Sequence, residues 1–185
     1  MKLICCLGNP GPEHQYQRHN IGFRIGLALV KEHKLEKLGP KFKSILYKGL
    51  IGTEQVLVQF PTTYMNLSGE AFQTLQAFYK INSEDTVIVY DDFDIPLGST
   101  RLKPAGSAGT HNGMKSVIQC AGHQVIPRLR IGIGPLPEHA SISAFVLSDF
   151  TPEEEEAIPQ IIKKASNILS IWAKENIQKA LNSGN

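Results

Sequence analysis

Six polar residues have the types and places to do chemistry together: Asn9, His19, Asn66, Asp91, Asp92 and Asn112. Asn9 and His19 flank the loop after an N-terminal apolar run, and Asn66 opens a helical pattern. Asp91 and Asp92 follow a β-branched run, while Asn112 sits in the small-residue stretch "PAGSAGTHNGMKS". A neutral histidine takes a proton from water when an ionised aspartate fixes its tautomer and stabilises the imidazolium, a contribution of roughly 10²–10⁴-fold. Asparagine amides add N–H donors for a developing oxyanion without adding charge. The set suits hydrolysis of an activated carbonyl such as a labile ester. Taken singly, each residue has a structural role of equal standing: Asn9 before proline in a turn, Asn112 at a helix start, His19 as a satisfied imidazole. Their placement along one edge of one sheet gives the set its meaning.

The elements that must deliver these residues are legible from periodicity. Residues 2–7 (KLICCL) read as a buried strand closed by Gly-Asn-Pro-Gly. From Asn20, the apolar face Ile21, Ile25, Leu29 and Val30 predicts a helix ending near Leu38-Gly39-Pro40. Residues 44–51 and 55–60 flank Gly52-Thr53-Glu54 as a hairpin, and a helix follows over 65–80. TVIVY (86–90) is the central-strand candidate, bounded by the acidic run that begins at Asp91. A short strand at 100–103 precedes the small-residue loop, and a helix runs over 112–121. RLRIGI (128–133) alternates as a half-buried strand does, and residues 141–147 fit neither template clearly. Thr151-Pro152 followed by acids starts the last helix. Alternation of this kind predicts an α/β fold in one domain, residues 1–185, with a mixed, largely parallel sheet. Ligands of such sheets bind beyond the carboxyl ends of the strands, which selects the loops after residues 7, 90 and 103.

Other chemistries lack their motifs. "LGNPG" sits where a dinucleotide loop would, but neither G-x-G-x-x-G nor G-x-x-x-x-G-K-[ST] is present, and Pro10 removes an amide. The six histidines are scattered with no ligand pair at helical spacing, so no metal and no cofactor are expected. No G-x-S-x-G elbow exists. Three cysteines, two of them adjacent in a strand, suggest a reducing compartment, with Cys120 a buried small hydrophobe. The first residues are too short in apolar run for a signal peptide, and no stretch suits a membrane span, so a cytoplasmic protein is expected. The net charge of +2 hides a segregation. Residues 95–137 contain no acid but include Arg101, Lys103, Lys115, Arg128 and Arg130, a distribution compatible with a polyanionic partner.

Five segments together, "LGNPGPEHQYQRHNIGF", "PTTYMNLSGEA", "VYDDFDIPLGSTRLK", "GSAGTHNGMKS" and "RLRIGIGPLP", resemble the bacterial peptidyl-tRNA hydrolases in order and spacing. The resemblance implies a three-layer fold, a mixed sheet between helices, acting as a monomer without cofactor on the ester between peptide and tRNA. It implies that His19 activates the attacking water, with Asp91 rather than Asp92 as its partner. It further implies that Asn9 tells a blocked peptidyl amine from a free one. Tyr64, Asn66 and Asn112 would contact substrate near the ester, and Lys103 and Arg130 the tRNA phosphate.

This chain departs from the family pattern at three places. His14 stands where a tyrosine is usual, still an aromatic ring able to stack on a base or sugar, and Gln17 replaces threonine. Thr110 occupies a usual glycine position, which requires either ordinary backbone or strain there. Two other readings stand beside the hydrolase: a non-catalytic RNA-binding module on the same fold, and an esterase or amidase acting on small substrates.

Overall fold

The computed structural model describes residues 1–184. Among them, seven strands form one sheet in the order β2-β3-β4-β1-β5-β7-β6. The parallel centre is β4 (Glu54–Pro61), β1 (Lys2–Cys6), β5 (Thr86–Pro96) and β7 (Arg128–Gly134). Antiparallel strands β2 (Glu36–Lys41) and β3 (Ser44–Ile51) extend one edge, and β6 (Thr100–Lys103) closes the other. Alternation along β1 sends Ile4 and Cys6 to one core and Leu3, Cys5 and Leu7 to the other. The adjacent cysteines therefore face opposite ways, and both are free. The first core takes helices α1 (Ile21–Glu32), α5 (Pro152–Lys174) and α6 (Ile177–Gly184), and the second takes α2 (Ser68–Tyr79) and α3 (Asn112–Ala121). This is the three-layer mixed-sheet architecture expected from the sequence.

Four expectations need correction. Helix α1 stops at Glu32, because Lys34 turns left-handed at φ 52° and Leu35 N–H bonds back to Val30. The segment read as helix end is edge strand β2; a bulge between Lys37 and Gly39 (φ 84°) and the edge position accommodate Pro40. Asp91 and Asp92 do not end β5 either: they pair with Ile131 and Gly132 of β7, and the strand continues to Pro96. Strand β7 is buried at every position but Arg130, since β5 and β6 flank it, Leu129, Ile131 and Ile133 enter the first core, and the end of β5 lies against Gly132 and Gly134. Cys120 is only partly buried.

Residues 65–67 form a 3-10 turn leading into α2, which Lys80 ends in the left-handed region. The ambiguous segment contains a short helix, α4 (Ile142–Val146), capped by Ser141. Thr151 and Glu154 form a full capping box at the start of α5. Helices α2 and α3 meet closely, joined by the small Ser116 side chain: Gly69 N–H donates to Ser116 Oγ at 2.9 Å. A Cβ on Gly69 would lie 2.1 Å from Ser116 O, so only glycine fits.

Candidate active site

The carboxyl ends of the parallel strands converge on a cavity of about 800 Å³ lined by Asn9, His19, Tyr64, Asn66, Asp91 and Asn112, among others. Asp91 is its anchor, 2% exposed and held on a central strand rather than a loop. Its Oδ1 accepts from two imidazoles, His19 Nδ1 at 2.8 Å and His111 Nε2 at 3.0 Å. Burial pushes the Asp91 carboxyl up, but the charges and hydrogen bonds of His19 and His111 outweigh it and hold the group well below the usual carboxylate range. An ionised Oδ1 only accepts, so His19 donates from Nδ1, and in its neutral form the lone pair then falls on Nε2.

The second imidazole is fixed from both sides. Met114 N–H donates to His111 Nδ1 at 3.1 Å, which makes His111 the N-cap of α3 and leaves Nε2–H to donate to Asp91. Its ring lies between His19 and Tyr90, with centroids 4.8 and 4.7 Å away. The sequence reading missed His111, because it lies far in sequence from both partners; its place directly before Asn112 in the loop was the available signal. The scatter of histidines had suggested no metal ligand set, yet among the described residues His19, Asp91 and His111 bring ligand-type atoms within 4.8 Å of one another. Those three atoms are already engaged in the two hydrogen bonds above.

Asn9 is oriented by its neighbours. The side chain of Asn20 clasps its backbone, accepting from Asn9 N–H and donating to Asn9 O, both at 2.9 Å. Asn9 Oδ1 accepts Met65 N–H at 2.8 Å, which leaves the two Nδ2 protons as that amide's free hydrogen-bonding capacity. Tyr64 and Asn66 line the cavity from the 3-10 turn region before α2, both exposed, and Asn112 lines it from the first turn of α3.

The loop that delivers Asn112 starts at the wrong end. Strand β6 is antiparallel to β7, with Lys103 opposite Arg128, so residues 104–111 must return along the sheet to reach Asp91. Buried Arg128 holds that return path: Nη1 donates to Gly106 O and Ser107 O, and Nη2 to Gln124 O. The left-handed turn falls on Gly109 (φ 57°), and Thr110 keeps ordinary backbone. Lys103 and Arg130 both line the cavity, and Arg130 Nε donates to Asp92 Oδ2 at 2.7 Å. That contact accounts for Asp92, which touches neither imidazole. His14 does not line the cavity; its Nδ1 meets Gln17 Oε1 at 2.8 Å, so two departures from the family pattern are partners of each other.

A family model described as peptidyl-tRNA hydrolase matches residues 3–185. The chain belongs to the peptidyl-tRNA hydrolase family. Similar members include the peptidyl-tRNA hydrolase of Roseiflexus sp. strain RS-1, 44% identical over 98% of this chain and 84% of that protein. The Aquifex aeolicus enzyme is 45% identical over 91% of this chain and 88% of its own. The crystal structure of peptidyl-tRNA hydrolase from Acinetobacter baumannii superimposes with a TM-score of 0.93 at 32% identity, covering 99% of this chain and 93% of that one. Family membership thus joins a site whose groups suit ester hydrolysis.

Proposed function

We infer that this protein hydrolyses the ester between a peptide and the 3′-terminal ribose of tRNA, freeing both, with His19 as general base and Asp91 as its partner. The observation that carries the roles is the His19 Nδ1 to Asp91 Oδ1 bond at 2.8 Å, on a residue that lines the cavity; in the neutral imidazole it makes Nε2 the nitrogen free to take a proton. In the first step Nε2 takes a proton from water as the oxygen attacks the ester carbonyl. Asp91 stabilises the resulting imidazolium, and His111 keeps Asp91 in place. Amide N–H groups of Asn66 and Asn112 stabilise the tetrahedral oxyanion. The carbon–oxygen bond to the ribose then breaks, His19 returns its proton to the ribose oxygen, and the peptide leaves as a carboxylic acid that gives its proton to solvent.

Asn9 supplies the discrimination. With Oδ1 committed to Met65 N–H, its amide offers a donor. A peptide carbonyl accepts such a donor, whereas the ammonium of a free aminoacyl ester cannot, and leaving it unpaired in the cavity costs free energy. Tyr64 and His14 complete the substrate contacts of this reading, His14 from outside the cavity wall. Lys103 and Arg130 bind the tRNA phosphate, for which Arg130 exchanges or shares its bond with Asp92. Residues 1–185 act as one domain and a monomer in the cytoplasm, needing no cofactor. Consistent with a non-spanning protein, no helix among the described residues is long and apolar enough to cross a membrane.

The test is peptide release from N-acetylated and free aminoacyl-tRNA by the wild type and by His19→Ala, with circular dichroism as the fold control. The wild type should cleave the blocked substrate preferentially, losing activity with added salt as phosphate contacts are screened, and the variant should fold but not turn over. Near-normal turnover by His19→Ala refutes the base. RNA binding without cleavage at enzyme excess would establish the binding module instead, and cleavage of small esters with a flat salt response the general esterase.

A further inference from the structure

Arg18, immediately before His19, is 5% exposed and reaches away from the base toward the segment that carries α4. Its guanidinium lies over the rings of Phe145 and Phe150, 4.6 and 5.2 Å from their centroids. Nη1 donates to Ser148 Oγ and Asp149 O, and Nη2 to Glu154 Oε2. The same Glu154 Oε2 accepts Thr151 N–H in the capping box that starts α5. The backbones are joined as well: Arg18 N–H donates to Ser148 O, and Gln17 forms a bridge with Asp149. On the other side of this segment, Ile142, Ser143, Val146 and Leu147 line the cavity. One buried side chain thus connects the turn that carries His19 to one wall of the cavity.

We propose that Arg18 is a positioning residue that locks the 142–148 wall against the His19 turn, so that base and wall keep one spacing around the bound ester. The neighbouring contacts favour this over a role limited to general stability. Helix α4 has five residues, and most of the 141–149 segment is exposed. Such a short helix is not stable on its own. Its placement depends on Phe145, Val146 and the chain after it, and Arg18 supplies the charged and aromatic contacts there. The His19, Asp91 and His111 array has hydrogen bonds of its own and does not include the Arg18 side chain. Loss of Arg18 should therefore lower the fraction of molecules with a competent wall and spare the chemistry.

The proposal rests on the peptidyl-tRNA reading, so its test has an arm that needs no activity. In amide hydrogen exchange of the ligand-free protein, Arg18→Met should speed exchange over residues 142–148 and leave β1 and β5 protected. Steady-state release from N-acetylated aminoacyl-tRNA should show KM raised by about tenfold, since apparent affinity falls with the competent fraction. kcat and the acid limb of its pH profile should stay within about twofold of the wild type. Arg18→Lys should recover part of the KM effect through Glu154 but not the planar stacking on the phenylalanines. Phe145→Ala, at a partly buried position, applies the same test from the wall side if Arg18→Met does not fold. Unchanged exchange over 142–148, a uniform rise across the chain, or a fall in kcat with unchanged KM would each overturn the proposal. If the wild type releases no peptide, the functional reading fails, and the exchange arm still decides whether Arg18 holds the wall.

Discussion

Replacing Asp91 by asparagine tests the site with little change of shape, because the amide can keep an oxygen where Oδ1 now accepts from His19 at 2.8 Å and His111 at 3.0 Å. What disappears is the charge. A carboxylate at this range commonly shifts a partner's ionisation by about 1–3 pH units, worth about 1.4–4 kcal/mol of imidazolium stabilisation. If the transition state experiences most of that interaction, kcat should fall by about ten- to a thousandfold. The acid limb of the kcat profile should move to lower pH, because protonation of His19 loses its counter-charge. Stability should respond differently. The carboxyl of Asp91 is held well below its ordinary range, so its ionic contribution is present above the unfolded carboxylate range and is lost as pH falls through the folded value. Asp91→Asn should thus flatten the acid side of the stability curve, matching the wild type most closely where the carboxyl would be protonated and falling below it near neutrality, where the contribution of the ionised carboxylate is lost. Single-turnover peptide release across pH, with urea unfolding in parallel, measures both. A variant with wild-type kcat and an unmoved acid limb would refute Asp91 as the counter-charge.

Two further outcomes follow from the same geometry. His111→Asn keeps an N-cap acceptor for Met114 N–H but loses the donor to Asp91, whereas His111→Ala loses both; urea titration should find the alanine variant less stable by about 1 kcal/mol, with similar losses of kcat in the two. Arg128→Met leaves the carbonyls of Gly106, Ser107 and Gln124 without their buried donor, and should cost about 3 kcal/mol in urea unfolding and lower kcat/KM as the path to Asn112 loosens.

The parts of the fold read correctly from sequence are those in which local pattern and tertiary role agree. Helix α3 begins at Asn112 and ends at Ala121 as its periodicity predicts, and β3 spans the expected 44–51. Strand β2 escaped because its residues carry no apolar alternation; sheet pairing with β3, not side-chain burial, makes it a strand. The continuation of β5 through Asp91 and Asp92 escaped for a related reason, since carboxylates disfavour strands unless partners wait for them. Those partners are His19, His111 and Arg130, which only the folded chain brings close. Most of the candidate site was recoverable through motif order, and His14 was the member placed outside the cavity. Arg18 and Arg128 looked like two more basic residues because burial, rather than residue type, separates them from surface charge.

The close contact between Gly69 and Ser116 also bears on the substrate. Asn66 lies one turn before Gly69, and Asn112 one turn before Ser116, so this close crossing ties the backbones that carry the two amides into one body. The separation of their backbone anchors is set when the chain folds, which leaves only side-chain rotations to settle around an incoming ester. If these amides meet one oxyanion as proposed, part of the entropy of aligning their backbones is spent before the substrate arrives.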